Sequence, residues 1–321
     1  MPSERVVLVT APGGHIGSVL VPELLKQEHR LVLPTSNAER LRSNVPAARD
    51  KNNVIIEQGS IKSPQWVQAI LSKHCVDTVF LCLTGIDELV TTLNFLDAMK
   101  KAGCVKQLVY LSALGDFTSE EGLKYTMRHS SAGIILVKSV LEYKMIYGDF
   151  PWMTARLGPG LFFSNDVRSK GPILSQGLFN DPIGSRGVSR ISENDIARAT
   201  AQIIRDPGTW AGKKVMLGSK HKYTDLEIAN LWSDVLKRPI KVRGSDPSSL
   251  LQVEDHLEAM ITGGAGNEPT GFGRSFTSML ESFDNVGFGM SEAEYDEQVK
   301  LLGREPEDYA KWVAETGKSW L

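Results

Sequence analysis

Three glycines near the start of the chain have a spacing that could hold phosphate groups. Residues 5–17 read R-V-V-L-V-T-A-P-G-G-H-I-G, with glycine at Gly13, Gly14 and Gly17. Such glycines let the backbone turn sharply, approach a pyrophosphate closely and let the next helix pack against the preceding strand. The apolar run Val6–Val9 is typical of a parallel strand covered on both faces. The sequence therefore predicts a nucleotide site in this turn, and the alternative is a turn that is merely tight.

The residues next to these glycines extend the predicted site. A helix predicted over 15–27 would aim its first amide groups at the phosphates. Thr10, His15 and Ile16 therefore join the three glycines as candidate cofactor contacts. Ala11 stands where the usual G-x-x-G-x-x-G pattern has its first glycine. We expect its methyl group to crowd the turn and to forbid a positive φ at this residue.

The end of the second predicted strand indicates which nicotinamide cofactor the site would prefer. This strand covers 30–34 and is followed by T-S-N-A-E-R-L-R. A protein selective for NAD places Asp or Glu at this strand end to accept hydrogen bonds from the ribose hydroxyls. Here no carboxylate stands at the strand end, while Ser36, Arg40 and Arg42 could meet a 2′-phosphate. We therefore expect NADP(H) to be favoured over NAD(H), and the alternative is a solvated helix start with ordinary surface arginines.

Strands and helices alternate along the first half of the chain and form the frame for this site. Further strands are predicted over 53–57, 77–83, 107–111 and 152–156, with helices between them. Alternation without a hairpin signal predicts an α/β fold with a doubly wound, parallel (Rossmann) sheet. Leu83 ends the fourth predicted strand, and Thr84 follows it. Both lie at the carboxyl edge of the sheet, where ligands bind in such folds, and both are candidate cofactor contacts.

The second half predicts a smaller, mostly helical region over the sheet edge. We expect an NAD(P)-binding domain over 1–156 and a substrate-binding cap over 157–321 that interleaves with the sheet edge. Residues 157–190 lack clear periodicity. So long a loop in a compact protein is usually functional or disordered. Its apolar residues favour a lid or a pocket wall.

Charge and cysteine content exclude several functional classes. Acidic and basic residues nearly balance, 38 against 36, and no basic run forms a stripe for a nucleic-acid backbone. No apolar run reaches the ~18 residues needed to span a bilayer, and the start M-P-S-E-R runs directly into the first strand. The three cysteines lack C-x-x-C spacing, and the histidines lack metal-ligand spacing. We expect a cytoplasmic protein without nucleic-acid, membrane or metal partners.

Several separated segments resemble the NmrA-like family of atypical short-chain dehydrogenase/reductases. The turn A-P-G-G-H-I-G is similar to the family's G-A-T-G-x-x-G. Lys138 followed by Glu142 matches a helix pattern of the family. The likeness extends over almost the whole chain through V-Y-L-S-A-L-G at 109–115, T-A-R-L-G-P-G-L-F-F-S-N at 154–165, D-I-A at 195–197 and the tail at 301–313.

The resemblance implies an NAD(P)-binding protein and leaves the reaction open, because the family includes both reductases and redox-sensing regulators. Ordinary short-chain dehydrogenases use Tyr-x-x-x-Lys, in which the tyrosine protonates the carbonyl oxygen. If Lys138 is that lysine, Ile134 stands at the tyrosine position. Lys138 would hold the nicotinamide ribose and stabilise charge on a substrate oxygen, and the alternative is a solvated helix lysine. Ser112 would orient the substrate or cap its strand, and Tyr143 would supply a proton or pack as an ordinary aromatic residue.

The leading hypothesis is an NADPH-dependent reductase of a small organic carbonyl compound, such as a quinone or an aromatic or polyketide-like molecule of secondary metabolism. Phe162, Phe163 and Phe179 are its candidate substrate contacts, and the alternative places them in the core beneath the lid. Two other functions stay open: a dinucleotide-binding regulator with a protein partner, and a redox-neutral enzyme such as an isomerase or dehydratase. A homodimer also stays open.

Overall fold

A central sheet with helices on both sides organises the molecule, for which a computed structural model describes residues 5–49, 51–83, 87–264 and 267–321. The strands in these ranges are β1 (Val6–Val9), β2 (Arg30–Thr35), β3 (Val54–Gln58), β4 (Thr78–Leu81), β5 (Gln107–Leu111), β6 (Met153–Pro159), β7 (Leu161–Phe162), β8 (Leu178–Phe179), β9 (Val188–Ile191), β10 (Lys214–Leu217), β11 (Lys222–Tyr223) and β12 (Lys241–Val242). Every strand that we predicted in the first half is present, and β6 continues to Pro159 rather than ending at residue 156.

Helices separate the strands from β1 to β6, with two helices between β5 and β6, and they dominate the second half. They are α1 (Gly17–Lys26), α2 (Ala38–Asn44), α3 (Pro64–His74), α4 (Glu88–Ala102), α5 (Glu120–His129), α6 (Gly133–Tyr147), α7 (Lys170–Gln176), α8 (Glu193–Arg205), α9 (Pro207–Trp210), α10 (Asp225–Leu236), α11 (Pro247–Thr262), α12 (Phe272–Val286), α13 (Glu292–Leu302) and α14 (Tyr309–Lys318). Short 3-10 helices cover Pro46–Ala48 and Phe163–Ser169.

Seven of the described strands pair in the order β10-β6-β5-β4-β1-β2-β3, and every pairing in this sheet is parallel. The predicted Rossmann-type α/β fold is therefore confirmed. The chain leaves β1 toward β2 and β3 on one side and later fills β4, β5 and β6 on the other. The strand order therefore reverses between β1 and β4, and open α/β sheets bind ligands at the carboxyl ends of strands beside such a reversal.

Apolar strands place the hydrophobic core on both faces of the sheet. Every residue of β4 and β5 is buried, as expected for strands that helices cover on both sides. Val7 and Val9 face a cluster that includes α1 and α8, while Leu8 faces a cluster that includes α3 and α4. Alternate residues of one strand thus anchor opposite helical layers and hold the strand ends in fixed positions.

The segment 157–190 is more regular than the sequence suggested, and the expectation of one long loop is wrong. It contains the end of β6, then β7, a 3-10 helix, α7, β8 and the start of β9. These elements are short, and their side chains are buried in the second-half cluster of apolar residues, for example Phe163 and Ile173. Long-range packing, which local periodicity does not encode, holds them in place.

The second half contributes to the central sheet as well as covering it. β10 pairs with β6 at the edge of the sheet, with Lys214 opposite Arg156 and Leu217 opposite Pro159. The remainder of the second half is mostly helical, as predicted. The domain boundary after residue 156 stays a prediction. None of the helices in the described ranges is both long and apolar enough to cross a lipid bilayer.

Candidate active site

The glycine turn between β1 and α1 is shaped by close backbone contacts. The amide of Gly14 donates to the carbonyl oxygen of Ala11 over 3.0 Å, which closes the turn. A Cβ on Gly17 would lie 2.3 Å from that same oxygen and 2.7 Å from Cα of Pro12. Only glycine fits at Gly17, because such a contact is far shorter than atoms tolerate.

Ala11 overturns one expectation from the sequence, because it adopts the positive φ that we expected its methyl group to forbid. Its φ is +47°, in the left-handed region that favours glycine. Non-glycine residues enter this region at a cost and cluster at functional sites. The alanine thus takes the conformation that the first glycine of the usual pattern would take.

The start of α1 has backbone amides that could meet an anion. Ile16 is the N-cap residue, and no side chain in the described part of the chain caps this helix end. A helix N-terminus carries unpaired amides and a partial positive charge, which favour a phosphate group. The helix begins at Gly17 rather than at residue 15, so His15 and Ile16 lie in the turn itself. His15 is exposed, while Ile16 is buried in the core.

Thr10 joins two strand ends instead of lining a cleft. Its buried hydroxyl lies 3.1 Å from the carbonyl oxygens of both Phe80 and Cys82, and it accepts from the amide of Cys82 over 2.7 Å. These bonds tie the end of β1 to the end of β4. Thr10 therefore positions the glycine turn at the reversal of strand order.

A cleft of about 530 Å³ opens beside this turn, and we call it the glycine-loop cleft. Its lining comes from the turn and from the ends of β2 and β3, and includes Gly13, Gly14, Ser36, Arg40 and Lys62. Among the described residues that line it, two are cationic and none is a carboxylate. Arg42, on the same helix as Arg40, is not part of the lining. Sequence reasoning missed Lys62, because nothing in the run G-S-I-K singles it out before the sheet brings β3 beside β2.

A second cleft, of about 190 Å³, lies over the carboxyl ends of β4, β5 and β6, and we call it the Lys138 cleft. Leu83, Ser112, Lys138 and Ile134 line it from the sheet side and from α6. Most of its other walls are apolar side chains of β7, α12 and the following loop, namely Phe162, Phe272, Phe276, Met279, Phe283 and Phe288, while Asn165 and Arg168 add polar groups. The two clefts therefore lie on opposite sides of the reversal between β1 and β4.

Lys138 is buried and fixed by two groups from the sheet and α4. Its ammonium lies 2.5 Å from Oε1 of Glu88, in an ion pair with only 8% and 2% of the two side chains exposed. The hydroxyl of Tyr110 donates to the same Oε1 over 2.9 Å. The ammonium also donates to the carbonyl oxygen of Leu111 over 3.4 Å. Lys138 is therefore a rigidly placed group of the cleft wall, and the alternative of a solvated helix lysine is wrong.

Ser112 belongs to a second buried ionic network, centred on Glu142. Its hydroxyl donates to Oε1 of Glu142, and the ammonium of Lys214 lies 2.6 Å from that same oxygen. Arg156 pairs with Oε2 of Glu142 over 3.2 Å. Burial lowers the pKa of Lys214 to about 8, although the charge of Glu142 opposes this fall. The glutamate that follows Lys138 by one helical turn thus serves Ser112 rather than Lys138.

The remaining predicted site residues divide between the cleft and the core. Phe162 lines the Lys138 cleft, whereas Phe163 and Phe179 are fully buried in the second-half core, as the alternative reading proposed. Tyr143 is not brought to the cleft: its hydroxyl donates to the carbonyl oxygen of Thr118 over 2.9 Å, and its ring stacks on Tyr147. Thr84 lies outside the described residues.

Sequence reasoning missed two further components of the cleft. Glu88 gave no signal, because a glutamate in the first turn of a helix is ordinarily an exposed residue that favours the helix dipole. The aromatic residues of α12 lie more than a hundred residues beyond Lys138 in the chain. Their spacing at Phe272, Phe276 and Phe283 matches one helix face, and this pattern could have identified α12 as a buried wall.

Within the described ranges, the cysteines and the potential metal ligands do not form a recognisable reactive site. Cys75, Cys82 and Cys104 are free thiols, and burial raises the pKa of Cys82 to about 11. A thiol with a raised pKa is a poor nucleophile. No cluster of three or more His, Cys, Asp or Glu side chains in the described ranges could hold a metal ion.

Comparison with known proteins identifies a family match, a curated relative and structures with this fold. The model of the NmrA-like family matches residues 3–313. A bifunctional pinoresinol-lariciresinol reductase of Linum usitatissimum is 23% identical over 265 residues, which cover 79% of this chain and 76% of the reductase. The family match spans the glycine turn, both clefts and α12.

Two solved structures illustrate the likeness of fold. A nucleoside-diphosphate-sugar epimerase from Staphylococcus aureus superposes with a TM-score of 0.74 at 16% identity, over 97% of this chain and 100% of the epimerase. An NADPH-dependent quinone oxidoreductase from Escherichia coli, complexed with NADPH, superposes with a TM-score of 0.73 at 18% identity, over 97% of this chain and 99% of the oxidoreductase.

Proposed function

Since the chain belongs to the NmrA-like family, we propose that it is an NADPH-dependent reductase of a small organic carbonyl compound, such as a quinone or an aromatic or polyketide-like molecule. One observation carries the proposal: the glycine-loop cleft and the Lys138 cleft lie on opposite sides of one reversal of strand order, at one edge of the sheet. Doubly wound sheets bind dinucleotides across such a reversal. The quinone oxidoreductase with this fold binds NADPH.

The residues of the glycine-loop cleft fit the phosphate-bearing half of NADPH. The uncapped start of α1 offers amide donors for a pyrophosphate. Arg40 and Lys62, of which Lys62 also pairs with the exposed carboxylate of Asp87, supply positive charge, and Ser36 supplies a hydroxyl, for a 2′-phosphate. Since the described lining holds no carboxylate to accept from a free 2′-hydroxyl, it favours NADP(H) over NAD(H).

Lys138 would act on the reacting end of the substrate through a hydrogen bond. When bound, NADPH supplies a hydride to the substrate. The Lys138 ammonium has three N–H donors, of which Glu88 and the Leu111 carbonyl take two. The third is available for a ribose hydroxyl or for the oxygen on which negative charge develops. Because Glu88 and Tyr110 hold this group in place, it needs little reorganisation during the reaction.

The walls of the Lys138 cleft favour a flat, apolar substrate. Phe162, Phe276 and Phe283 line the cleft, and Ile134 stands where ordinary short-chain dehydrogenases have a tyrosine. Aromatic walls exclude water and bind ring faces. An apolar carbonyl compound or quinone fits this mostly aromatic lining, and Asn165 and Arg168, which also line the cleft, could bind a polar group of the substrate.

A turnover assay tests this function. Purified protein is mixed with NADPH and a panel of quinones, aromatic aldehydes and ketones, and the absorbance of the reduced nicotinamide is followed. The double variant Lys138→Met with Glu88→Gln leaves no unpaired buried charge and is expected to lower kcat by about 100-fold. Lys144→Met, an exposed site on the same helix, is the matched control.

Two results would contradict the proposal. Tight NADPH binding without oxidation by any member of the panel would favour a regulator. Conversion of a substrate at full rate without any dinucleotide supplied or consumed would favour a redox-neutral enzyme. Equal kcat in the double variant and the wild type would remove Lys138 from the mechanism.

A further inference from the structure

A hydride alone does not complete the reduction of a carbonyl, and the tyrosine that usually donates the proton is replaced by Ile134. We propose that Ser112, Glu142 and Lys214 form a proton relay that delivers the missing proton to the substrate oxygen. This inference rests on the proposed reductase function. It assigns a role to a buried network that the hydride step does not use.

The relay is continuous from the Lys138 cleft to the interior. Ser112 lines that cleft, and its hydroxyl donates to Oε1 of Glu142. The ammonium of Lys214 lies 2.6 Å from the same oxygen, so one carboxylate oxygen contacts both the hydroxyl and the ammonium. All three side chains are buried, which keeps bulk water from interrupting the path.

The charges of the network explain why Lys214 rather than Arg156 would release the proton. Arg156 already pairs with Glu142 over 3.2 Å and donates to the carbonyl oxygen of Gly212 over 2.7 Å. Lys214 is therefore a second buried cation on one carboxylate. Burial lowers the pKa of Lys214 to about 8; Glu142 and Asp116 oppose the fall, and Arg156 adds to it. A guanidinium keeps its proton at any ordinary pH, whereas a buried ammonium readily gives one up.

The far end of the relay adjoins a second cavity through which Lys214 could regain its proton. The ammonium donates to the carbonyl oxygen of Gly115 over 2.6 Å and lies 4.0 Å from the ring centroid of Phe117. Gly115 and Phe117 both line a cavity of about 300 Å³ under α5. Tyr125, which is half exposed, lines the same cavity and links it to the protein surface.

The proposed step conserves atoms and charge. The carbonyl carbon gains the hydride that NADPH supplies, and the electron pair of the C=O bond moves onto the oxygen. As Ser112 gives its hydroxyl proton to that oxygen, the ammonium of Lys214 gives a proton to Oε1 of Glu142, which passes it on to Oγ. Glu142 is again a carboxylate, and Lys214 is left neutral and regains a proton from water. The nicotinamide is oxidised and the carbonyl is reduced to an alcohol.

Kinetics of three variants test the relay on a carbonyl substrate that the wild type reduces. We expect the wild-type kcat to fall above about pH 8, where Lys214 loses its proton. Ser112→Ala and Lys214→Met should each lower kcat by about 100-fold, the lower range for loss of a general acid, with little change in KM. Lys214→Arg keeps the charge and a hydrogen-bond donor but cannot release a proton, so its kcat should be equally low and independent of pH in this range.

A spectroscopic measurement adds a readout that does not depend on turnover. The Cε resonance of Lys214, assigned by its loss in Lys214→Met, is followed by NMR of protein labelled with ¹³C-lysine. It should titrate near pH 8 in the protein without ligands. Titration near the ordinary value of 10.5 would overturn the relay, because the ammonium would then hold its proton too firmly.

The outcomes separate the relay from the function on which it rests. A wild type that oxidises no NADPH with any carbonyl compound overturns both. An active wild type whose Lys214→Arg variant keeps the wild-type kcat and pH profile overturns the relay alone, since arginine would then satisfy a purely structural role. Loss of kcat in all three variants with the expected pH profile supports it.

Discussion

Two positively charged side chains, Arg40 after β2 and Lys62 after β3, should set the preference of the glycine-loop cleft between NADPH and NADH. We predict that Arg40→Ala and Lys62→Ala each weaken NADPH binding about tenfold and leave NADH binding nearly unchanged. A charged hydrogen bond is worth about 1.5–3 kcal/mol, and a tenfold change in Kd corresponds to about 1.4 kcal/mol. Both side chains are exposed, so the lower end applies. Fluorescence titration with both cofactors measures the change.

Arg42→Ala is the matched control for this prediction. Arg42 lies on the same helix as Arg40 and does not line the glycine-loop cleft. It should bind NADPH as the wild type does. Equal losses of NADPH and NADH affinity in Arg40→Ala would show that the arginine stabilises the loop rather than meeting a 2′-phosphate.

Single residues also mark how far the sequence could predict the site. Gly13, Gly14, Ser36 and Lys138 line the two clefts, and their contacts with a cofactor stay predictions. Glu88 could not be predicted: it pairs with Lys138 only because β4 and β5 bring α4 and α6 together. Such ion pairs between distant segments leave no periodic signal in the chain.

Among the helices and strands, those that bury more of their residues have clearer sequence patterns and were predicted more easily. The fully buried strands β4 and β5 are mostly apolar, with one polar residue at the start of each, and both were predicted. α5 was not predicted, because Thr126 is its only buried residue among those described and Gly122 lies near its start. A Cβ on Gly122 would lie 2.3 Å from the carbonyl oxygen of Asp116, so this glycine serves a close contact rather than ending the helix.

Asp195, near the start of α8, connects this helix to the segment before α14, and we expect its contacts to stabilise the fold. Asp195 accepts from the Arg304 guanidinium over 2.6 Å and from the amide of Glu307 over 2.7 Å, and is itself fully buried. We predict that Asp195→Ala lowers the free energy of unfolding by about 2–3 kcal/mol, since two hydrogen bonds to a charged group are lost. Urea denaturation followed by circular dichroism measures the loss.

Asn194→Ala controls for a general effect on this helix start. Asn194 is on the same helical turn and bonds to the exposed Glu307 carboxylate over 3.1 Å. The Asn194→Ala substitution should change the free energy of unfolding by less than about 1 kcal/mol, as is usual for exposed contacts. Similar losses in both variants would mean that the Asp195 contacts do not attach the tail.

For the whole molecule, the Glu142 network unites the two halves of the chain. Glu142 lies on α6 and Arg156 on β6, whereas Lys214 comes from β10 in the second half. β10 therefore forms one edge of the sheet and also supplies Lys214 to the buried ionic cluster beside the Lys138 cleft. The predicted boundary near residue 156 could not anticipate this, because pairing of β10 with β6 joins segments almost sixty residues apart.

This shared network makes the stability of the whole fold depend on pH in a defined direction. Burial lowers the pKa of Lys214 from its ordinary value of 10.5 to about 8. Between these values the unfolded chain keeps a proton on Lys214 that the folded chain has released. Stability rises with pH wherever the unfolded state binds more protons. The cost of burying the charged lysine is therefore present below about pH 8 and disappears as the pH rises toward 10.5.

We predict that wild-type protein gains stability relative to Lys214→Met between about pH 7 and pH 10, by on the order of 2–3 kcal/mol at about 1.4 kcal/mol for each pH unit of the interval. Methionine cannot titrate, and Arg156 remains to pair with Glu142 in the variant. Other titratable groups, including Tyr110 and Tyr309, whose pKa values burial raises well above the ordinary value of 10, affect both proteins alike and cancel in the difference. Urea midpoints of both proteins at each pH give the difference. A constant difference across the range would mean that Lys214 keeps its ordinary pKa and that its ammonium is effectively solvated.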